Sequence, residues 1–134
     1  MTARFDAIGL VVADLSASLA FYRRLGVDIP DGADNLPHVE VTIPGGPRLM
    51  WDPLETVRSF DPDWTPPHGS ARVALAFACD GPAEVDSVYA TMVAAGAEGH
   101  REPWDAPWGQ RYAQLHDPDG NTVDLFAPLS PSAG

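Results

Sequence analysis

Apolar and polar positions in the first half of the chain predict several strands and one helix. Either Asp14 or Ser16 can cap that helix, which ends at Gly26. Its apolar positions recur at spacings of three and four, at Leu15, Leu19, Tyr22 and Leu25. Apolar or alternating runs predict strands at residues 8–12, 27–29, 37–43 and 48–52. The predicted order is therefore βαβββ.

The second half of the chain repeats this order. Pro82 stands where the first turn of a helix tolerates proline, and the helix ends at Gly96. Its apolar positions are Val85, Val88, Met92 and Ala95. Strands are predicted at residues 73–79, 98–101, 110–116 and 122–127. We therefore expect an α+β domain of two βαβββ modules. Its parts are the first module (1–53), a proline-rich, ordered linker loop (54–70), the second module (71–129) and a tail (130–134).

Alternation within the strands separates two faces, because successive side chains point to opposite sides of a sheet. The face expected beneath the helices is large and apolar: Ile8, Leu10, Val12, Val39, Val41, Ile43, Val73, Leu75, Phe77, Val123 and Leu125. The other face mixes small, aromatic and hydrogen-bonding residues: Ala7, Gly9, Val11, His38, Glu40, Thr42, Leu49, Trp51, Ala74, Ala76, Ala78, Gln110, Tyr112, Gln114, Asp124 and Phe126. Such a mixture is typical of a ligand cavity. The alternative is that the alanines pack against a second protomer.

Composition and charge narrow the class of ligand. The 134 residues carry a formal net charge of −11, from 19 acidic residues against eight arginines and no lysine. This balance repels phosphate backbones and excludes a lysine Schiff base, so we expect no nucleic-acid partner. An acidic surface favours a cationic small molecule, or serves solubility alone. Cys79 is the single cysteine, no apolar run is long enough to span a membrane, and we expect a cytoplasmic protein.

Two stretches resemble the signatures of the glyoxalase, bleomycin-resistance and dioxygenase superfamily, also called vicinal oxygen chelate proteins. They are VVADLSASLAFY at 11–22 and DPDGNTVDLF at 117–126. The resemblance implies a curved mixed sheet around a cavity. It also implies four metal-ligand positions, which fall here on Ala7, Leu49, Ala74 and Asp124. Three of these cannot coordinate a metal, so we expect neither a metal nor another cofactor.

Among members without a metal, the chain is most similar to the resistance proteins that bind mitomycin and bleomycin. The similar stretches are 21–30, 55–64 and 107–113, followed by 117–121. The resemblance implies a homodimer with two equivalent grooves, each built from both chains. A small planar antibiotic or metabolite stacks there on aromatic side chains and is held by polar groups, and no bond is made or broken.

The candidate ligand-binding residues combine stacking surfaces with polar groups. Trp64, Trp104 and Trp108 fall in predicted proline-rich loops, and Trp108 is the expected stacking platform. Trp51 is expected to supply a floor or a second face, although either indole could instead belong to the core. The full set is Trp108, Trp51, Tyr112, Gln110, Asp124, His38, Glu40, Phe60, Trp64 and Phe126.

Asp124 stands alone on a largely uncharged face, where a carboxylate needs a hydrogen-bond donor. A ligand amine or amide could supply it, and so could Arg111, Arg72 or a protein amide. The remaining histidines, His68, His100 and His116, are expected in or beside loops.

Two other functions stay open at this point. A metal-free enzyme could use Glu40 or Asp124 as general base and Tyr112 or His38 as acid. A glyoxalase- or dioxygenase-type metalloenzyme is opposed by the alanines at two ligand positions, although His38, Glu40 and Asp124 could form an improvised metal site.

Overall fold

Two mixed β-sheets and three α-helices make up the part of the chain that the computed structural model describes, residues 2–130. The fold class is α+β, as predicted. The strands are β1 (Ala7–Val12), β2 (Val39–Thr42), β3 (Arg48–Pro53), β4 (Ala74–Ala78), β5 (Glu98–Ala106), β6 (Gln110–His116) and β7 (Thr122–Pro128). The helices are α1 (Leu15–Arg24), α2 (Leu54–Arg58) and α3 (Pro82–Ala94), with a 3₁₀ turn at Ala33–Asn35. A first unit ends at His68 and a second begins at Gly69.

The first sheet has the strand order β1-β3-β2. Strands β1 and β3 are parallel, which requires a crossover such as α1 between them, and β2 is antiparallel to β3. The helix covers one face of this sheet. Val12, Leu19, Tyr22 and Trp51 are completely buried there and form the centre of the first core.

Asp14, one of the two residues expected to cap helix α1, is its N-cap. The Asp14 carboxylate accepts a hydrogen bond from the Ala17 N–H at 3.0 Å, which satisfies a free amide of the first turn. Ser16 instead donates its hydroxyl to the Asp34 carboxylate at 2.9 Å. The last turn carries Arg23 and Arg24, whose charges complement the helix dipole.

The second sheet has the order β4-β7-β6-β5, with β4 parallel to β7 and the other pairs antiparallel. Helix α3 packs on β5, β6 and β7. It buries Val85 and Met92, while Leu115 and Leu125 are buried in the sheet. No helix within residues 2–130 is both long and apolar enough to cross a bilayer.

The first unit lacks the strand predicted at residues 27–29. Val27 and Ile29 are buried, but the backbone there makes no ladder pairing. The Arg23 guanidinium instead donates to the carbonyls of Ile29, at 3.3 Å, and Pro30, at 2.7 Å. Because this side chain satisfies the carbonyls, the segment needs no neighbouring strand, and the predicted first module (1–53) is βαββ.

Two details of the predicted linker region are also wrong. The linker is not all loop, because α2 begins immediately after Pro53 and buries Val57. Val73 was expected beneath a helix, yet 69% of its surface is exposed. Strand β4 begins only at Ala74, opposite Thr122, so Val73 lies before the paired region.

The orientation of β3 differs from the expected one. Leu49 pairs with Ile8 and Trp51 with Leu10, and paired residues share a face, so both side chains lie on the helix side. Trp51 is 0% exposed, and its ring meets Tyr22 of α1 edge-on at 5.8 Å between centroids. Trp51 is therefore a core residue, which corrects its assignment to a ligand surface.

Candidate functional site

The face of the second sheet that lies opposite α3 carries most of the candidate residues. We call it the second open face. Cross-strand pairs define it, because Tyr112 is paired with Phe126, and Gln114 with Asp124. Its members are Ala74, Ala76, Ala78, Arg101, Trp104, Gln110, Tyr112, Gln114, His116, Thr122, Asp124 and Phe126.

Four aromatic side chains, the aromatic cluster, gather at one end of this face: Trp104, Trp108, Tyr112 and Phe126. Trp108 meets Trp104 edge-on at 5.9 Å and Tyr112 edge-on at 5.3 Å, measured between ring centroids. Tyr112 stacks on Phe126 at 6.4 Å. Since 57% of Trp108 is still exposed, much of its indole remains available to a planar ligand.

Trp104 belongs to strand β5 rather than to the loop in which it was expected. The register of β5 shifts between Gly99 and Arg101 and again between Arg101 and Trp104. Arg101 and Trp104 are three residues apart, yet both pair with residues of the second open face. An extra residue in a strand, a β-bulge, re-aims the side chains that follow it. The Arg101 guanidinium consequently lies 3.8 Å from the centre of the Trp104 ring.

A tight turn and one hydrogen bond hold Trp108 in place. Gly109 adopts a φ of 91°, which favours glycine, and its N–H donates to the Ala106 carbonyl at 3.0 Å. The indole N–H of Trp108 donates to the Gln110 side-chain oxygen at 2.8 Å. Gln110, a predicted ligand residue, thus orients the indole.

Asp124 finds its hydrogen-bond donors within the protein. The side chain of this residue is buried, with 7% exposed. The Tyr112 hydroxyl donates to it at 2.5 Å and the Gln114 amide at 3.0 Å. Arg111, one of the expected alternatives, pairs instead with Asp86 and Asp105. The donors to Asp124 are therefore the Gln114 amide, since a protein amide was one of the expected alternatives, and a tyrosine hydroxyl, which was not expected.

The contact with Asp124 determines the protonation state of the Tyr112 hydroxyl. Burial, together with the hydrogen bond to Asp124, raises the pKa of Tyr112 to about 12. The phenol therefore stays protonated at neutral pH, and its proton is directed at Asp124. Towards a ligand, the hydroxyl oxygen offers its lone pairs as an acceptor.

His38 and Glu40 lie in the first unit, in a network of charges. His38 contacts the Asp52 carboxylate through Nδ1 at 2.6 Å and the Glu40 carboxylate through Nε2 at 2.9 Å. Arg48 pairs with Glu40 at 2.8 Å and with Asp6 at 2.7 Å. We call these five residues the ion-pair network. Sequence reasoning missed Arg48 and Asp52 because it assigned β3 to the wrong face.

The pKa values of the network follow from these contacts. The hydrogen bond to Asp52, followed by that to Glu40, raises the pKa of His38. The bond from His38 lowers the pKa of Glu40, with a further contribution from Arg48. Each polar group is therefore held by another polar group of the same unit, which leaves less capacity for a ligand.

Phe60 and Trp64 follow α2 in the first unit and are not part of the aromatic cluster. Phe60 is 73% exposed. Trp64 is half-buried, and its carbonyl accepts a hydrogen bond from Arg58 at 3.2 Å. Their role in binding stays a prediction.

Comparison with known proteins identifies the family. A model of the glyoxalase/bleomycin resistance protein/dioxygenase superfamily matches residues 4–125. The chain belongs to this superfamily. A comparison with curated proteins finds no match.

Solved structures of the superfamily share the fold. A glyoxalase/bleomycin resistance protein/dioxygenase from Nocardioides is 25% identical, with a TM-score of 0.74, over 100% of this chain and 87% of that one. A family enzyme from Burkholderia phytofirmans PsJN is 20% identical, with a TM-score of 0.80, over 95% and 100%. A glyoxalase-related enzyme from Fulvimarina pelagi is 23% identical, with a TM-score of 0.76, over 93% and 88%.

The side chains present do not fit the metal that many enzymes of this superfamily use. Ala7 and Ala74 have no ligating atom, and Leu49 is buried on the helix side of its sheet. Asp124 already accepts two hydrogen bonds. Within residues 2–130, no group of three or more His, Cys, Asp or Glu side chains is arranged to hold a metal ion. The improvised site of His38, Glu40 and Asp124 stays a prediction, because its first two residues belong to the first unit and the third to the second.

Proposed function

We propose that this superfamily member is a cytoplasmic, metal-independent binding protein that sequesters a planar small molecule, such as mitomycin or bleomycin, without changing it. The observation that carries the proposal is the aromatic cluster, in which Trp108 is 57% exposed on a sheet face. A partly exposed indole that is grouped with three other aromatic side chains forms a contiguous surface patch, and such patches mark binding sites.

Stacking supplies the main attraction in this proposal. A flat ring on an indole contributes about 1 kcal/mol beyond the burial of its apolar area. Trp104 and Tyr112 already hold the Trp108 ring by edge contacts at 5.9 and 5.3 Å. The platform is thus formed before the ligand arrives, which lowers the entropy cost of binding.

Polar groups beside the platform would orient the ligand. Gln110 accepts a hydrogen bond from the Trp108 indole, and Tyr112 and Gln114 both donate to Asp124. Because the Tyr112 proton points at Asp124, we expect the ligand to present an N–H or O–H donor to the phenol oxygen. A few convergent polar groups in an aromatic surface are typical of small-molecule sites.

The same contacts oppose the alternative of a metal-free enzyme. A phenol with a pKa of about 12 is a poor acid near neutral pH. The Asp124 carboxylate already accepts hydrogen bonds from Tyr112 and Gln114, which occupy both of its oxygens. In the first unit, His38 is enclosed by two carboxylates that favour its charged form. None of these groups is free for proton transfer.

We extend the proposal to a homodimer. Strand β4 is an edge of its sheet, and its alanines and Val73 are exposed. An uncharged, apolar strand edge is prone to pair with another chain. Light scattering of the purified protein would give twice the chain mass of 14.3 kDa. A monomer at micromolar concentration would contradict this part of the proposal.

The binding proposal is tested by calorimetric titration with mitomycin, bleomycin and a quinoxaline drug. We expect saturable binding of one drug, which chromatography then recovers unchanged. Trp108→Ala should weaken that binding five- to tenfold, since tenfold corresponds to about 1.4 kcal/mol.

Phe5→Ala is the matched control, because Phe5 is 73% exposed in the first unit and outside the aromatic cluster. It should leave the affinity unchanged. Binding that resists Trp108→Ala, or conversion of the drug, would overturn the proposal.

A further inference from the structure

A cavity of about 420 Å³ lies on the second open face, away from the aromatic cluster. We call it the histidine pocket. His116, Gln114 and Thr122 line it from β6 and β7, and His100 from β5. Ser70 and Gly120 add a hydroxyl and a wall without a side chain. Gln114 also belongs to the polar groups of the proposed function, whereas the other lining residues have no part in it.

The two histidines form a stacked pair. Their ring centroids are 4.3 Å apart and their planes differ by 23°. Both were expected in or beside loops, but they lie in β5 and β6. The register shift between Gly99 and Arg101 places His100 beside the bulge, where alternation no longer predicts its direction.

The walls of the histidine pocket differ chemically from those of two other cavities. A cavity of about 580 Å³ in the first unit has Asp34 and Glu55 in its wall. One of about 340 Å³ beside α3 has Asp86 and Glu102. No carboxylate lines the histidine pocket, although the chain has 19 acidic residues.

Its side chains are instead those that donate hydrogen bonds. They are two imidazoles, the hydroxyls of Ser70 and Thr122, and the amide of Gln114. We propose that the histidine pocket binds an oxyanion, the carboxylate or phosphate group of a ligand.

The charges around the pocket set the strength of this site. Glu98 approaches His116 Nδ1 at 3.4 Å, but its side chain is 71% exposed and largely screened by water. Arg101 stands opposite Gln114 on the same face and adds a positive charge. Asp124 lies beyond Gln114, and its charge is shared with two donors. The net charge of −11 opposes an anion, so the affinity should be modest and should increase with salt screening of the surface.

The position of the pocket also constrains the ligand of the aromatic cluster. Tyr112 and His116 are four residues apart on one strand, which corresponds to about 13 Å. One molecule that fills both sites would carry a planar ring and an acidic group at that separation. This extension rests on the proposed function, whereas the oxyanion site does not.

The test uses inorganic phosphate and acetate as probes, at constant ionic strength and constant pH. The C2–H proton resonances of the four histidines are followed by NMR, and His100→Gln and His116→Gln provide their assignment. We expect saturable shifts of the His100 and His116 resonances. A response to phosphate alone, or to acetate alone, identifies which oxyanion the pocket takes.

Thr91→Val is the matched control, because Thr91 is exposed on α3, which packs on the other face of the same sheet. It should leave the phosphate affinity unchanged, while Thr122→Val, which keeps the shape of the side chain, should lower it severalfold. The proposal is overturned if neither anion shifts His100 and His116, or if Thr91→Val weakens phosphate binding as much as Thr122→Val does. A drug that still binds Trp108 under those conditions would leave the proposed function intact.

Discussion

The two sheets share a topology, but the side chains on their open faces differ. Those of the first sheet bind one another, whereas part of those of the second stay uncovered. In each sheet a parallel pair, β1–β3 or β4–β7, adjoins an antiparallel strand. In the first sheet the ion-pair network joins five charged residues to one another. In the second, the aromatic cluster stays partly uncovered. In this duplicated fold, the charged side chains of one face thus pair with one another, while the aromatic side chains of the other face remain available to a ligand.

The largest expected effect is on the free energy of unfolding, and it distinguishes the buried indole of Trp51 from the exposed indole of Trp108. Trp51→Ala should lower the free energy of unfolding by about 3–5 kcal/mol, because it removes a fully buried ring. Trp51→Phe should cost much less, since the indole N–H has no hydrogen-bond partner to lose. Urea denaturation measures both.

Trp108→Ala is the comparison for this pair, and it should change stability by less than about 1 kcal/mol. If Trp51→Ala were as mild as Trp108→Ala, the placement of Trp51 in the core would be refuted.

A medium effect is expected at Asp124. Asp124→Ala should destabilise the protein by about 1–3 kcal/mol, because the Tyr112 hydroxyl and the Gln114 amide lose their acceptor in a largely buried position. Asp52→Ala in the first sheet should cost less than about 1 kcal/mol, since its partner His38 is 41% exposed and keeps Glu40. Equal losses in the two variants would remove the contrast between the two faces.

The smallest effect is a pH dependence of the ion-pair network. The pKa of His38 is raised in the folded protein from its usual 6.5. Its contribution to stability is therefore complete below about pH 6.5 and is lost as the pH rises through the folded value. We expect urea unfolding to show a decrease of well under 1 kcal/mol above that pH, because the pair is solvent-screened. His38→Gln should remove this decrease, and an unchanged slope in the variant would assign it elsewhere.

The sequence predicted both long helices and the course of most strands, because spacings of three and four and strict alternation are local signals. The prediction of a strand at residues 27–29 was wrong. The Arg23 side chain satisfies the carbonyls next to this buried segment, and the apolar pattern of residues 27–29 does not show that contact. The prediction also failed on β3, because Leu49, Met50 and Trp51 are all large and apolar, so alternation does not distinguish their faces.

The candidate site was predictable in part. Trp108, Tyr112, Asp124 and Phe126 were correctly assigned to one surface of the second module, from motif and alternation. Trp104 was expected in a loop because the predicted strand ended at residue 101, whereas β5 continues to Ala106. The directions of Arg101 and His100 were missed because register shifts in β5 change the alternation, and no local signal marks such bulges. The donors to Asp124 depend on the pairing of β6 with β7, which only the folded sheet defines.

The central claim is that the exposed aromatic cluster, and not the buried indole, receives a planar ligand. A ¹H–¹⁵N correlation spectrum of the four tryptophan side-chain N–H groups tests it directly during a titration with the drug that binds in calorimetry. We expect the Trp108 and Trp104 signals to move saturably while the Trp51 signal stays in place. A shift of Trp51 without Trp108, or no shift of any indole at saturating drug, would contradict the account.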